Sequence, residues 1–299
     1  MERESALEEK ITLEKLEEQF SFFHKMYDVV RIVDPVCKKV LQIQAWKPME
    51  TNSVCHDFWQ KDKICENCVS IRSHLEKKNF MKMEYSGDTV MLVTAIPVHT
   101  EERPVVLELL RDVTETMLMG RGFQKEGEKF HHVIDEMNDL IVKDPLTGLY
   151  NRRFLEERLP VEIIQSMINQ APLTVILLDI DRLKVANDQY GHVIGDAVIK
   201  ELAKVLQLTA YAKEHWAIRY GGDEFVLVLP DSTKAEAEVL MQNIVSSMRQ
   251  LMIETKESFI PVDASYGIYT MLNEQLTAKE LIAKADEAMY AHKKQKVTG

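Results

Sequence analysis

RYGGDEFVLVLP (Arg219–Pro230) sets two glycines and then two carboxylates, Asp223 and Glu224, at the mouth of an apolar strand. A hairpin turn asks for one polar residue. Two adjacent negative charges repel each other, and both lose water where a strand enters a core. LTVILLDID (Leu173–Asp181) has the same form: Val175 to Leu178 are continuously apolar, as in a strand covered on both faces, and the run ends in Asp179 and Asp181. If the two strands are neighbours, at least three carboxylates meet at one end of a sheet. Such a group coexists only with a cation or a shared proton, and hard oxygen ligands in that number suit Mg²⁺. For any one of these acids alone, a helix N-cap or a solvated loop is the alternative. Gly221 and Gly222 are expected to supply positive φ in a tight hairpin and to let a large ligand approach the backbone.

Around these two strands the second half of the chain alternates. The patterns predict a helix over 151–168, a strand over 173–180, a helix over 193–209 and a hairpin over 217–229. A helix over 234–255, a strand over 263–270 and a helix over 277–294 follow. This β-α-β-β-α-β order is the ferredoxin-like pattern.

The first half differs in composition. All four cysteines and two of the three tryptophans lie in its first quarter of the chain, and with 299 residues two domains are expected. Residues 8–23 read as an acidic helix, with Leu13, Leu16, Phe20 and Phe23 as the seam of an amphipathic helix or a short coiled coil. VVRIVDPVCKKVLQI reads as two short strands split by an Asp-Pro turn. Three further strand-like stretches are separated by SGD and EERP, making a small α+β unit. Between the halves, Phe123, Phe130 and Met137 stand seven apart with Val133 and Leu140 at the intermediate heptad positions, loosened by Gly120, Gly122 and Gly127. A helix lying on its own domain would give this pattern; a parallel dimeric linker is the preferred reading.

The net charge of −11 argues against a nucleic-acid-binding surface, while leaving room for a nucleotide site whose positive charge comes from a metal. The N-terminus is charged throughout and the longest apolar runs are too short to span a bilayer, so a cytoplasmic protein with no membrane insertion and reduced cysteines is expected.

RYGGDEF resembles the signature of the GGDEF family, the diguanylate cyclases. The resemblance extends over 144–293 through four more motifs in order: DPLTGLYNRR (144–153), DIDRLKVANDQYGHVIGDAVI (179–199), SYGIY (265–269) and KADEAMYAHKK (284–294). It implies an α/β nucleotidyl-cyclase fold, palm-like and related to the ferredoxin-like order above. It also implies condensation of two GTP into cyclic di-GMP and two pyrophosphates by a homodimer, each half holding one GTP. Asp179, the carbonyl of Ile180 and Asp223 would hold Mg²⁺ or Mn²⁺, with Glu224 a further ligand or close neighbour. Asp223 would act as general base on the ribose 3′-hydroxyl. Asn187 and Asp196 would read the guanine edge, and Lys184 and Lys293 would contact phosphate. Taken singly, Asn187 also fits a turn, Asp196 a helix N-terminus, and His192 a structural place.

Two stretches depart from the family. The inhibitory product site Arg-x-x-Asp is replaced by AKEH, Ala212 to His215. The closing arginine is replaced by Val297, for which Lys294 or Lys296 could compensate.

Residues 24–115 resemble a PAS domain in strand pattern and in position before a signalling helix. Within them, Cys55, Cys65 and Cys68, with Cys37 upstream, could bind Zn²⁺ or an iron–sulfur cluster; His56 is a substitute ligand and haem a weaker option. Alternatively Cys37 and Cys55 are buried small hydrophobes and Cys65–Cys68 a redox pair. The expected organisation is an N-terminal helix (1–23), a PAS-like sensor (24–115), a helical coiled-coil linker (116–143) and a GGDEF domain (144–299). A regulated diguanylate cyclase is the leading function. A nucleotide-binding module without catalysis, or a metal or redox sensor with an inert output domain, are the alternatives.

Overall fold

The computed structural model describes residues 12–44, 47–60, 64–100, 103–117, 127–210, 215–254 and 259–298. The chain divides into two compact units, Met1–Ile141 and Val142–Gly299.

In the first unit, helix α1 (Leu13–Met26) precedes strands β1 (Val29–Asp34), β2 (Lys39–Gln44) and β3 (Lys47–Val54). A 3₁₀ turn (Asp57–Trp59) and α2 (Val69–Glu76) lead to β4 (Phe80–Ser86), β5 (Thr89–Val98) and β6 (Val105–Asp112). Then come α3 (Thr114–Met117) and α4 (Gly127–Val142). The six strands form an antiparallel sheet in the order β3-β2-β1-β6-β5-β4. The Asp-Pro turn is held by Asp34, whose Oδ1 accepts from the amides of Val36 and Cys37 at 2.9 and 2.8 Å. SGD gives a two-residue hairpin loop in which Gly87 takes φ +55°, the left-handed backbone that favours glycine. β3 escaped the sequence reading because KPMETNSV is a polar edge strand with most side chains exposed, which carries little apolar alternation.

Leu13 and Leu16 are buried, with Phe20 and Phe23 packed beside them, in a core with Val30, Ile32, Leu41 and Leu107. The seam of α1 therefore covers its own sheet. A second core contains Val33, Trp59, Val69, Val93 and Val106. Helix α4 also lies on this unit. Ile134 is buried with Val90 and Val113, His131 stacks on Tyr85 at 4.1 Å, and the Tyr85 hydroxyl donates to Asp135 at 2.7 Å. Asn138 accepts from Asn67 at 2.8 Å. On the same helix Val133, Met137 and Leu140 are exposed. The expected heptad thus includes a bare stripe and excludes the residue that anchors the helix; Phe123 lies outside the described residues, as does the side chain of Phe130.

In the second unit, β7 (Tyr150–Asn151) and α5 (Arg152–Asn169) precede β8 (Leu173–Ile180), α6 (Leu183–Tyr190), α7 (His192–Ala210), β9 (Trp216–Arg219) and β10 (Glu224–Pro230). Then follow α8 (Lys234–Met248), β11 (Met252–Glu254), β12 (Phe259–Pro261), β13 (Ala264–Met271) and α9 (Ala278–Thr298). The main sheet runs β13-β8-β10-β9-β7, antiparallel except for β7 beside β9. Numbered within the repeat, its first four strands stand in the order 4-1-3-2, the ferredoxin-like arrangement. Leu173 to Leu178 are all buried, as a strand covered on both faces requires.

Two elements differ from the sequence reading. The helix expected over 193–209 is preceded by α6, which ends at Gly191 (φ +86°), so Asn187 is helical and not a turn residue. The helix expected to reach 255 stops at Met248; Leu251 continues its apolar spacing, but Ile253 is buried in the β11–β12 pair instead. Helix α8 begins with a capping box, Thr233 with Glu236, which sets its start sharply.

Candidate active site

Strands β8 and β10 pair so that Glu224 stands directly opposite Asp179. The Ile180 amide donates to the Asp223 carbonyl at 3.1 Å, tying the Tyr220–Asp223 turn to the end of β8. On the other side of β8, Ser265 of β13 is the partner of Asp179. The central strand therefore delivers its acid between two neighbours, and the apolar register fixes this, because a one-residue slip would turn Ile176 and Leu178 away from the core they share with Phe225 and Leu227.

The charges interact as the sequence suggests. Burial raises the pKa of Asp179; the Lys293 ammonium opposes this, and repulsion from Asp223 and Asp181 adds to it. Burial also raises Glu224, as do Asp179, Asp223 and Asp286, against Lys293. Asp286, on α9, was not singled out by sequence reasoning. The Lys293 ammonium lies 2.8 Å from Asp179 Oδ1. Among the described residues no group of three or more His, Cys, Asp or Glu side chains is arranged to hold a metal ion. Asp179 and Glu224, with Asp223 beside them, are mutually repelling hard-oxygen groups, the donor chemistry that Mg²⁺ or Mn²⁺ takes together with water and phosphate oxygens.

The glycines act differently from the expectation. Neither Gly221 nor Gly222 has positive φ. A Cβ on Gly221 would lie 3.0 Å from Glu224 Oε2, so this glycine makes room for the acid, while a Cβ on Gly222 would meet nothing within 4 Å, leaving space beside the turn for a ligand.

Helices α6 and α7 meet at Gly191 and bring Asn187 against Gly195, the residue before Asp196. The two candidate guanine-reading residues thus sit on one helical corner, with Asp196 and Lys184 exposed. A Cβ on Gly195 would come 1.9 Å from Asn187 Oδ1, the flexible end of that side chain. Gly195→Ala is therefore expected to displace Asn187 and, on the guanine-reading role that the resemblance implies for it, to raise the KM for GTP about tenfold or more. Because glycine costs about 1 kcal/mol against alanine inside a helix, the variant should melt no lower than the wild type. Steady-state kinetics and thermal unfolding of the same preparation check both halves.

The C-terminal helix carries Lys293 to the carboxylates, and a close approach holds it there. A Cβ on Gly267 of β13 would lie 2.1 Å from the Met289 nitrogen and 2.2 Å from the Ala285 oxygen, both backbone atoms of α9. Glycine in SYGIY is thus a packing requirement. Lys294 lies over the Tyr290 ring at 4.4 Å, and Lys296 binds Asp181, Asp263 and the Ala264 carbonyl. The side chain of Val297 and residues Ala212, Lys213 and Glu214 lie outside the described residues; His215 Nε2 is 3.2 Å from Ser232 Oγ.

DPLTG is a second element whose role sequence reasoning did not assign. Asp144 accepts from the amide and hydroxyl of Thr147 and from Arg219 Nη1 at 3.2 Å, while Arg219 Nη2 donates to the Gly222 carbonyl at 2.9 Å. Burial would raise the Asp144 pKa, but the Thr147 and Arg219 hydrogen bonds outweigh it and hold the carboxyl low. The domain's opening turn is thereby tied to the glycine turn.

In the first unit all four cysteines are free thiols. Cys37 lies near Asp34, Arg103 and Glu50, whereas Cys55, Cys65 and Cys68 lie near one another and Glu108. Burial pushes the Cys55 thiol far up and that of Cys65 up to about 11, the latter against the nearby Lys82. A four-cysteine centre is not assembled among the described residues, because Cys37 keeps other company and no metal-holding group forms.

The sequence profile described as "Diguanylate cyclase, GGDEF domain" matches residues 141–298. Over 163 residues the chain is 34% identical to the response regulator PleD of Caulobacter vibrioides, a match covering 54% of this chain and 36% of that protein. Over 173 residues it is 30% identical to the diguanylate cyclase DgcP of Pseudomonas aeruginosa, covering 58% and 26%. Among solved structures it is similar to the diguanylate cyclase SiaD of Pseudomonas aeruginosa in complex with its activator SiaC. That likeness has a TM-score of 0.50 and 29% identity, covering 57% of this chain and 67% of that one. The chain thus spans roughly a quarter to a third of the length of these two curated relatives. No helix among the described residues is long and apolar enough to cross a membrane. With the strand-end carboxylates, the helical corner and the profile all in the same half, the chain belongs to the diguanylate cyclase GGDEF-domain family through residues 141–298.

Proposed function

We propose that this chain is a diguanylate cyclase, joining two GTP molecules into cyclic di-GMP with release of two pyrophosphates. The observation that carries the reading is the register of Glu224 opposite Asp179, with Asp223 in the adjoining turn. Asp223 accepts the proton of a ribose 3′-hydroxyl. The freed oxygen bonds to the α-phosphorus of the facing GTP, the bond between α-phosphorus and bridging oxygen breaks, and pyrophosphate leaves; the second 3′-hydroxyl repeats the step. Asp179, the Ile180 carbonyl, Asp223 and Glu224 would hold Mg²⁺ or Mn²⁺, which when bound lowers the hydroxyl pKa and offsets charge on the phosphates. Asp196 accepts from the N1 and N2 donors of guanine and Asn187 hydrogen-bonds the same base edge, so adenine would leave a polar group unpaired. Lys293 exchanges its bond to Asp179 for phosphate oxygen, and Lys184 reaches phosphate from α6. Incubating the protein with GTP and Mg²⁺ tests the reading: cyclic di-GMP and pyrophosphate in a 1:2 ratio support it. GTP bound but unchanged points to a binding module.

The first unit fits a PAS-like sensor, with its helical segment inserted between the third and fourth strands of an antiparallel sheet. Its regulation of the cyclase is supported by the Asn67–Asn138 bond, which joins the Cys-x-x-Cys loop to α4. Cys55, Cys65 and Cys68 are the groups through which a metal, a cluster or thiol oxidation would act. Two GTP-loaded halves must face each other, and the exposed Val133, Met137 and Leu140 on α4 offer a seam for a homodimer. Val133→Glu with Leu140→Glu is expected to shift the protein to monomer in sedimentation and to lower specific activity about tenfold or more, since an apolar seam does not bury charges. Unchanged mass and activity would count against the seam.

A further inference from the structure

We infer that Lys296 is a positioning residue that locks the last turn of α9 onto the exit of β8 and the start of β13, fixing Lys293 for nucleotide phosphate. The inference rests on the cyclase reading and adds a residue to it. The Lys296 ammonium donates to Asp181 Oδ2 at 2.9 Å, to Asp263 Oδ2 at 2.9 Å and to the Ala264 carbonyl at 2.8 Å. An ammonium has three N–H bonds, and all three are engaged. No donor is left for phosphate, so Lys296 does not take over the missing arginine's contact.

What it grips is itself braced. The Asp181 amide donates to the Asp263 carbonyl at 2.9 Å, and the Ser265 hydroxyl donates to Asp181 Oδ1 at 2.8 Å. Ser265 is in turn the cross-strand partner of Asp179. Lys293 stands three residues before Lys296 on the same side of α9 and pairs with Asp179, two residues before Asp181. Two lysines of one helix thus hold two aspartates of one strand end, one at the metal-ligand position and one beyond it. Glycine at 267 brings the middle of α9 onto β13; Lys296 fixes its far end, where the terminal turn would otherwise fray. Asp263 is the part of this lock that the sequence motifs did not mark.

Ion pairs open to solvent contribute little to stability, so the effect should be read in nucleotide affinity and not in melting temperature. Lys296→Met and Asp263→Asn are each expected to raise the KM for GTP about tenfold, with kcat within about threefold and the melting temperature within about 2 °C. Because both break one lock, the double variant should be no worse than either single one. Lys296→Arg should restore KM to within about threefold. Calorimetry with 3′-deoxy-GTP and Mg²⁺, a pair that binds but lacks the attacking hydroxyl, gives the same comparison without turnover. If the wild type binds this analogue but makes no cyclic product from GTP, the cyclase reading fails while the lock is still judged by binding. An unchanged or lowered KM in Asp263→Asn would overturn the inference, since freeing the lysine would then cost nothing or help. Multiplying effects in the double variant, or a change confined to melting temperature, would overturn it too.

Discussion

Asp223→Asn is expected to lower cyclic di-GMP synthesis about a thousandfold or more without harming the fold. The substitution keeps size and shape and removes one acceptor of the 3′-hydroxyl proton, a role worth about 10²–10⁴ in rate. It also removes one anionic ligand from a group that needs all its negative charge to hold a divalent ion. The consequence for stability has the opposite sign. Asp179 and Glu224 are pushed up first by burial, and the Asp223 charge adds to the push in both. A carboxylate whose folded pKa is raised costs stability when ionised at neutral pH, and removing its neighbour's charge relieves that cost. The variant should therefore melt at or slightly above the wild-type temperature in metal-free buffer. Pyrophosphate release and thermal unfolding measure the two effects; activity within tenfold of wild type would remove Asp223 from the chemistry.

Gly267→Ala is expected to damage fold and activity together. The added methyl would meet backbone nitrogen and oxygen of α9 at 2.1 and 2.2 Å, and backbone cannot swing aside as a side-chain tip can. Helix α9 must move off β13, and overpacking of this kind costs about 1–3 kcal/mol or more. In a domain of this size that is a fall of about 2–12 °C in melting temperature. The shift carries Lys293 and Lys296 with it, so the KM for GTP should rise at least about tenfold. Gly222→Ala is the contrast, because nothing lies within 4 Å of its added methyl; its melting temperature should stay within about 2 °C. Equal melting temperatures for Gly267→Ala and wild type would show that α9 is held less closely than its packing on β13 requires.

Much of this was legible in the sequence because one constraint repeated at several levels. The apolar run before Asp179 and the one after Glu224 specify buried neighbouring strands, and their register alone sets the two acids opposite each other. What escaped were features without a local pattern. Helix α6 was hidden in ANDQYG, whose Asn, Asp and Gly read as turn chemistry until Gly191 proved to end a helix. The locks through Asp144–Arg219 and Lys296–Asp263 join residues far apart in the chain, and a single charged residue gives no sign of its partner. The φ expected of Gly221 and Gly222 was wrong for a related reason: a glycine is kept for conformation or for space, and only neighbours in three dimensions decide which. In the first unit, the amphipathic pattern of α4 has two apolar faces, and spacing alone did not tell the anchoring Ile134 from the exposed stripe.

In the proposed reaction, acids from two paired strands share a divalent ion with nucleotide phosphate. Mn²⁺ uptake followed by paramagnetic resonance, with 3′-deoxy-GTP present, tests this by comparing wild type with the Asp179→Asn, Asp223→Asn double variant. The wild type should take up Mn²⁺ together with the analogue, and the double variant should leave the free-ion signal undiminished; equal uptake by both would mean that these acids do not hold the ion.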